Sequence, residues 1–267
     1  MKRFVIFLSS IFVLPITILA DPWVLPKGQS YALFYFSIAT VDKYFDDNSD
    51  DIRLAGDLNI LKVAANYSVG IRDHLGIRLE IPYSRWEREF PGNTDVNSGI
   101  GDSEIDLKYT LVKRDLYAVS LLCGIKIPGS YEENKINSPG DGSIDVPVGV
   151  SFGGVYQQYF YDIDFIYRFR SQEPRDEVEI NIDGGIRPSE NFLLKLHYTK
   201  VDSFGGKGVS DANFRYEELE EDFDRGGITI DFIPGNKWDF FVDYTWTIDG
   251  RNTPELDLFT SGFGVSF

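Results

Sequence analysis

Apolar and polar residues alternate with a period of two along most of this chain. The clearest stretch is 100–111, where Asp102 and Asp106 share one face while Ile105 and Leu107 share the other. Successive side chains of a β-strand point to opposite faces, so this period predicts strands rather than helices. Twelve strands are predicted, at about residues 29–40, 55–71, 75–87, 100–112, 116–128, 142–154, 159–170, 176–187, 192–201, 225–233, 238–249 and 257–267.

The connections between these segments alternate in length. Five are tight turns, at residues 72–74, 113–115, near 157, 188–191 and 234–237. Six are longer and polar, at about residues 41–54, 88–99, 129–141, 171–175, 202–224 and 250–256. Short periplasmic turns and longer extracellular loops are typical of outer-membrane barrels. The sequence therefore predicts an all-β fold, a twelve-stranded antiparallel transmembrane β-barrel over residues 29–267.

A water-soluble β-sandwich would also alternate with a period of two. Aromatic residues such as Tyr83, Tyr109, Trp238 and Trp246 mark the ends of apolar stripes, where a barrel places its interfacial girdles. The opposite face carries more carboxylates than the outer side of a small sheet needs, which suits a hydrated lumen. We therefore favour the barrel.

The first twenty residues are typical of a secretory signal peptide. Lys2 and Arg3 precede an apolar run at 4–14, and the small Ala20 ends the segment. We expect cleavage after Ala20, followed by a periplasmic N-terminal segment at residues 21–28. Beyond the signal, no apolar run reaches the roughly 18 residues of a helical membrane span.

The end of the last predicted strand carries a second signal. Phe259, Phe263, Val265 and the terminal Phe267 fall at alternate positions counted back from the carboxyl end. This pattern resembles the C-terminal strand that the bacterial barrel-assembly machinery recognises. We therefore expect the cell outer membrane as the location, and that machinery, outer-membrane lipid and lipopolysaccharide as partners.

Composition narrows the chemistry further. Hydrophobic residues make up 43% and charged residues 25% of the chain, which excludes a disordered tail. The net charge of −16 would repel nucleic acid. Cys123 is the only cysteine, so no internal disulfide can form. The sequence contains no phosphate-binding glycine loop, paired-cysteine site or dinucleotide fingerprint, and we expect neither a cofactor nor a metal.

One stretch resembles a known family. It contains Gly-Ile-Gly-Asp at 99–102, Asp-Leu-Lys-Tyr at 106–109, Lys-Ile-Pro-Gly at 126–129 and a glycine-rich strand entry at 140–145. It is similar to the outer-membrane family named after the meta-pathway of phenol degradation, over about residues 98–154. The resemblance implies a barrel that transports small compounds, aromatic ones among them, and it carries no catalytic residue.

The inward positions of the predicted strands carry thirteen acidic and seven basic residues. A negative lumen favours cations and neutral polar solutes, and twelve strands leave only a narrow bore. We therefore predict a passive, narrow, cation-preferring channel for small solutes. Cross-strand ion pairs that fix the register would be a purely structural use of the same charges. The candidates for a charged constriction are Asp102, Glu104, Asp106, Lys108, Arg168, Arg170, Glu177, Glu179 and Asp183.

Two other functions stay open. An outer-membrane lipid hydrolase needs a serine within reach of a histidine, but His197 has Ser203 as its nearest serine, and His74 falls in a short turn. A surface-binding or adhesion barrel would act through acidic loops, which could bind Ca²⁺. These acids are Asp42, Asp46, Asp47, Asp50 and Asp51 in the first loop, and Glu217, Glu218, Glu220, Glu221, Asp222 and Asp224 in loop 202–224.

Overall fold

The computed structural model describes residues 22–46, 48–90, 92–132, 138–171, 176–204, 222–235 and 237–267. The signal peptide predicted at residues 1–20 lies outside these ranges. The described residues contain no helix that is long and apolar enough to cross a membrane. Their strands are β1 (Ser30–Phe45), β2 (Asp51–Arg72), β3 (Leu75–Phe90), β4 (Asn93–Ile100), β5 (Ser103–Lys113), β6 (Tyr117–Ile127), β7 (Asp145–Tyr156), β8 (Tyr159–Arg170), β9 (Glu177–Ser189), β10 (Phe192–Ser203), β11 (Asp222–Phe232), β12 (Trp238–Arg251), β13 (Thr253–Pro254) and β14 (Asp257–Ser266).

The strands form one closed antiparallel sheet. Apart from β4 and β13, each strand pairs with the next one along the chain, so that β3 pairs with β5 and β12 with β14. β1 pairs with both β2 and β14, which closes the ring. In two places, two consecutive strands together form a single crossing of the barrel wall. β4 and β5 pair with successive halves of β3, and β13 and β14 pair with successive parts of β1. The fourteen strands therefore cross the wall twelve times. This confirms the predicted twelve-stranded antiparallel barrel.

Burial is inverted relative to a water-soluble sandwich. Phe165 on the outer face is 51% exposed, whereas its neighbour Asp164, on the inner face, is only 6% exposed. The same contrast runs around the ring, with exposed leucine, isoleucine and aromatic side chains outside and buried serine, threonine, asparagine and aspartate inside. Apolar side chains on the outside are stable only against lipid, so the outer face is a membrane-facing belt.

Two predicted loops are mostly strand. Residues 41–54 were expected to be a loop, but β1 continues to Phe45 and β2 begins at Asp51. The expected loop at 88–99 is the end of β3 and most of β4, which pair from Tyr83↔Ile100 to Phe90↔Asn93. Polar residues dominate both faces where β3 and β4 pair, and the ends of β1 and β2 mix Val41 and Tyr44 with charged residues. Neither extension therefore shows the period of two that revealed the other strands.

Candidate functional site

The inner face of the barrel encloses a cavity of about 950 Å³. Within the part of the chain that the structure describes, eleven acidic and seven basic side chains line it, together with His197. Several of their contacts join strands that are not neighbours in the sheet. Glu104 on β5 and Arg168 on β8, for example, meet across the concave wall over β6 and β7. The predicted inward charges therefore do share one lumen.

A chain of ion pairs runs along one side of this cavity. The Nε and Nη2 atoms of Arg78 donate to Asp106 Oδ2 at 2.8 and 2.6 Å, and Nη2 lies 3.3 Å from Glu104 Oε1. The other oxygen of Glu104 accepts from Arg168 Nη1 at 2.9 Å, and Arg168 Nη2 donates to Glu179 at 3.4 Å. Positive and negative side chains alternate in this series of ion pairs, so each carboxylate has a cationic neighbour.

The series of ion pairs continues towards the long-loop end of the barrel. Arg170 donates to both Glu177 and Asp141, and Lys126 lies 2.5 Å from Asp141 and 2.5 Å from Asp145. Burial alone would raise the pKa of Asp141, but Lys126 and Arg170 hold it below its ordinary value. We use the term charged arc for the residues Arg78, Glu104, Asp106, Lys126, Asp141, Asp145, Arg168, Arg170, Glu177 and Glu179.

Asp102 has a different task from the charged arc. It follows Gly101 at the break between β4 and β5, and it accepts from the Tyr131 hydroxyl at 2.6 Å, from the Asp141 amide at 3.1 Å and from the Gly129 amide at 3.3 Å. These donors all belong to the connection between β6 and β7. Burial raises the pKa of Asp102, which the hydrogen bond from Tyr131 opposes. Asp102 therefore positions the described parts of this loop against the mouth of the lumen.

Of the nine predicted constriction residues, six belong to the charged arc. Asp102 joins them through Lys126, whose Nζ lies 3.5 Å away. Lys108 lines the cavity on β5. Asp183 belongs to a separate group nearer the short turns, where it pairs with Lys195 at 3.2 Å. The structure thus brings seven of the nine candidates together and places two elsewhere on the same inner wall.

Four members of the arc were not among those candidates. Arg78, Lys126 and Asp145 occupy predicted inward positions, so the alternation did place them in the lumen. Nothing in that pattern shows which inward residues meet across several strands. Asp141 lies in a loop, where no period applies, and its glycine neighbours at 140 and 142 were its only signal.

Part of the opposite side of the lumen, towards the long-loop end, is apolar, whereas Lys62 on β2 lines the cavity on the same side. Val41, Ala39 and Leu58 on β1 and β2 pack with Leu256 in the connection before β14. All four are buried, and Leu58 is only 2% exposed. We use the term apolar cluster for Ala39, Val41, Leu54, Leu58, Ile60, Trp86, Leu256 and Leu258. The charged arc and the apolar cluster therefore lie on different sides of the same lumen.

The short-turn end of the lumen holds the residues that precede β1. The carbonyl oxygen of Pro22 accepts from the hydroxyls of Ser120 and Thr110 on the inner wall. Val24 is buried against Gly76, and the carbonyl oxygen of Leu25 lies so close to Gly70 that a Cβ there would be 2.2 Å away. This N-terminal segment, Pro22–Leu25, therefore occupies the bore rather than the space outside it.

His197 faces the lumen as predicted. Its Nε2 lies 2.8 Å from Asp243 Oδ2, and Thr229 and Thr245 donate to the same carboxylate. No serine hydroxyl bonds to His197 among the contacts of the described residues. Those residues also contain no group of three or more His, Cys, Asp or Glu arranged to hold a metal ion.

The remaining predicted features fall at the surface or outside the described ranges. Phe259 and Phe263 on β14 are exposed, Val265 on the same strand is half-buried, and the terminal Phe267, which follows β14, is exposed. Asp222 and Asp224 lie on β11. Asp47, Glu217, Glu218, Glu220 and Glu221 lie outside the residues that the structure describes.

Comparison with known proteins gives one family. The family described as "Putative MetA-pathway of phenol degradation" matches residues 44–261. The chain belongs to this family. The match is far longer than the stretch at residues 98–154 that carries the motifs of the sequence resemblance. No curated protein matches the chain.

Solved structures agree in fold at low identity. The COG4313 outer membrane channel from Pseudomonas putida F1 is 12% identical, with a TM-score of 0.77 over 92% of this chain and 98% of that chain. The NanC porin is 10% identical, with a TM-score of 0.54 over 88% of this chain and 98% of that one. The KdgM porin is 10% identical, with a TM-score of 0.51 over 88% and 99%. The fold is thus one that outer-membrane channels use.

Proposed function

We propose that this protein is an outer-membrane channel for the passive passage of small solutes, and that the channel is narrow and prefers cations. The observation that carries the proposal is the cavity of about 950 Å³ with its charged wall. A space of this size accommodates a molecule of a few hundred daltons. The fold shared with channels of known structure supports the same conclusion.

Three features support a narrow passage. The charged arc fills one side of the bore with salt-bridged side chains, and the apolar cluster fills part of the other. Pro22–Leu25 narrows the short-turn end. Twelve strands also fall between the eight of a filled barrel and the sixteen or more of an open porin.

The excess of acids supports the cation preference. Eleven carboxylates face seven basic groups around the cavity, and a low-dielectric wall strengthens the resulting negative potential. Asp231 and Asp239, near the short-turn end, contribute to this excess.

We also infer that lipid and lipopolysaccharide contact the membrane-facing belt, and that Phe267 with its alternate neighbours directs assembly.

Planar-bilayer recordings of the mature protein test the proposal. In a tenfold KCl gradient we expect a small single-channel conductance and a reversal potential on the cation-selective side. The variant Asp231→Asn/Asp239→Asn should lower the cation preference because it reduces the negative charge of the cavity wall.

The matched control is Asp257→Asn, which removes a carboxylate from the exposed face of β14. It should leave conductance and selectivity unchanged. An anion-selective wild-type channel would contradict the proposed lumen charge, and a protein that never conducts ions or swells solute-loaded liposomes would contradict the channel itself.

A further inference from the structure

One carboxylate on the inner wall lacks the partners that the others have. Within the part of the chain that the structure describes, nine of the eleven carboxylates that line the cavity accept a hydrogen bond from another side chain. The exceptions are Asp164 and Asp231, and Asp231 interacts with Lys195 and Arg187 at longer range. Asp164 is only 6% exposed, and its Oδ1 atom has no hydrogen-bond partner. A buried carboxylate oxygen without a partner is unfavourable, so this position indicates a ligand that brings a positive charge and a donor.

The neighbours of Asp164 in the sheet do not supply that donor. Its register partners are the uncharged Ser151 on β7 and Asn181 on β9. The side-chain amide of Asn181 donates to Glu179 at 2.7 Å, and its oxygen accepts from Thr199 at 2.8 Å. Both ends of this amide are therefore engaged away from Asp164.

The basic side chains on β8 and β10 also have other partners. Arg168 and Arg170, on the same face of β8 as Asp164, are held by carboxylates of the charged arc. Lys195 on β10 pairs with Asp183 on β9 at 3.2 Å. The arc contains four basic and six acidic side chains, so its total charge does not repel a cation that approaches Asp164 from the long-loop end.

An apolar surface adjoins this carboxylate. Ile166 follows Asp164 by two residues on the same face of β8, and its register partner Gly149 on β7 is in turn the register partner of Leu122 on β6. Leu122 and Ile166 both line the cavity. Because Gly149 has no side chain, no polar group separates the two apolar residues along this row. The wall therefore offers a negative charge and hydrocarbon side by side.

We propose that Asp164, Leu122 and Ile166 form a binding site for a primary amine with a short apolar body, and that such amines are solutes of this channel. This inference rests on the proposed function and names a solute class for it. An alkylamine is protonated at neutral pH, as the lysine side chain is, and its ammonium group carries three N–H donors. The broad Cβ–Cγ torsion of an aspartate turns either oxygen towards the cavity. The ammonium group donates to Asp164, and the carbon chain packs on Leu122 and Ile166.

Three probes of similar size separate the parts of this recognition. Isothermal titration calorimetry of the mature protein in detergent compares butylammonium, butyltrimethylammonium and 1-butanol. The second probe has the charge but no N–H donor, and the third has a donor but no charge. We expect the wild type to bind butylammonium at least about tenfold more tightly than either of the others, because a charge-assisted hydrogen bond needs both features.

Variants assign the binding to Asp164. Asp164→Asn should weaken butylammonium binding at least about tenfold, since it removes the charge that the ammonium group faces. The matched control is Asp239→Asn, which removes a carboxylate from the same cavity, but one that already accepts from Tyr31 at 2.8 Å. It should change the affinity by less than about threefold, because water and salt screen the more distant charge. Leu122→Ala should weaken binding of butylammonium but not of methylammonium, which has no chain to pack there.

The comparison of probes uses the wild type alone, so it decides the matter even where a variant does not assemble. Equal affinities for butylammonium and butyltrimethylammonium would overturn the proposal, and so would equal losses from Asp164→Asn and Asp239→Asn. Calorimetry needs no ion current, which keeps the two proposals separate. Amine binding by a barrel that conducts no ions would support the site and contradict the channel, whereas conduction without amine binding would do the reverse.

Discussion

Different interactions stabilise the charged arc and the apolar cluster on the two sides of the lumen. The charged arc consists of side chains that range from fully buried, as in Asp145, to 33% exposed, as in Arg78. Its order depends on a succession of ion pairs between strands that are far apart in sequence. The apolar cluster has a centre of four buried residues with partly buried residues packed against it, and its order depends on removing carbon surface from water. The charged arc should therefore respond to substitutions that change charge, and the apolar cluster to substitutions that change side-chain volume.

This difference separates stability from selectivity. A change of volume in the apolar cluster should weaken the barrel with little effect on the ions in the bore. A change of charge in the arc should alter the potential along the path, while hydration softens its effect on stability. Substitutions on each wall can test this division.

The largest loss of stability is expected from Leu58→Ala. Leu58 is almost fully buried in the apolar cluster, and removing such a side chain costs about 2–5 kcal/mol through lost burial and the cavity left behind. The free energy of unfolding, from guanidinium titration of the refolded barrel, should fall accordingly, and the reversal potential should not move.

Leu61→Ala is the matched control, because Leu61 lies three residues away on β2 but faces outward and is 40% exposed. Leu61→Ala should lower the free energy of unfolding clearly less than Leu58→Ala does. Equal losses at the two positions would mean that the inner cluster is no better packed than the lipid-facing belt, and the contrast between the two walls would disappear.

Arg168→Met should have an intermediate effect on stability and the largest effect on selectivity. It leaves Glu104 and Glu179 without their shared cationic partner. Breaking a fully buried pair costs about 3–5 kcal/mol, and hydration of this lumen should reduce the loss to about 2 kcal/mol. The lost positive charge should shift the reversal potential further towards cation selectivity.

The outer pair formed by Arg85 and Glu87 provides the comparison. Its ions are 2.6 Å apart, yet the Arg85 side chain is half exposed, so Arg85→Met should cost less than about 1 kcal/mol. If Arg168→Met instead shifted selectivity towards anions, the charge of Arg168 would not set the potential along the lumen.

The sequence predicted the barrel because lipid and water impose opposite preferences on adjacent residues. Asp164 and Phe165 are neighbours in the chain and face a lumen and a membrane. That rule fails where the wall leaves the lipid, as in the paired ends of β3 and β4, since both faces there are polar. It also fails for Pro22–Leu25, because the segment has no period and its contacts are with backbone and small side chains.

The candidate site was predicted in outline only. Alternation identifies which residues point inward, and so it found Glu104, Arg168 and Glu179. It cannot tell that β5 and β8 approach each other across the curved wall, because that depends on the closure of the sheet. Asp102 lines the cavity, as expected of an inward residue, but alternation does not show that three of its contacts are with donors in one loop.

Of the three lumen substitutions, Asp102→Asn is expected to have the smallest effect, and it tests whether the arc depends on the loop beside it. An amide in place of the carboxylate keeps one good acceptor and loses the charge opposite Lys126, so we expect a loss of about 1–2 kcal/mol. Limited proteolysis should cleave the connection between β6 and β7 faster, because Gly129, Tyr131 and Asp141 would be held less firmly.

Tyr131→Phe is the graded control, since it removes one hydrogen bond to Asp102 and leaves the charge in place. It should lie between wild type and Asp102→Asn in proteolysis rate. The change in reversal potential should be small for both variants, because Lys126 and Arg170 still hold Asp141. A large shift in selectivity from Asp102→Asn with no change in proteolysis would assign Asp102 to the ion path after all, and the boundary of the charged arc would have to be redrawn to include it.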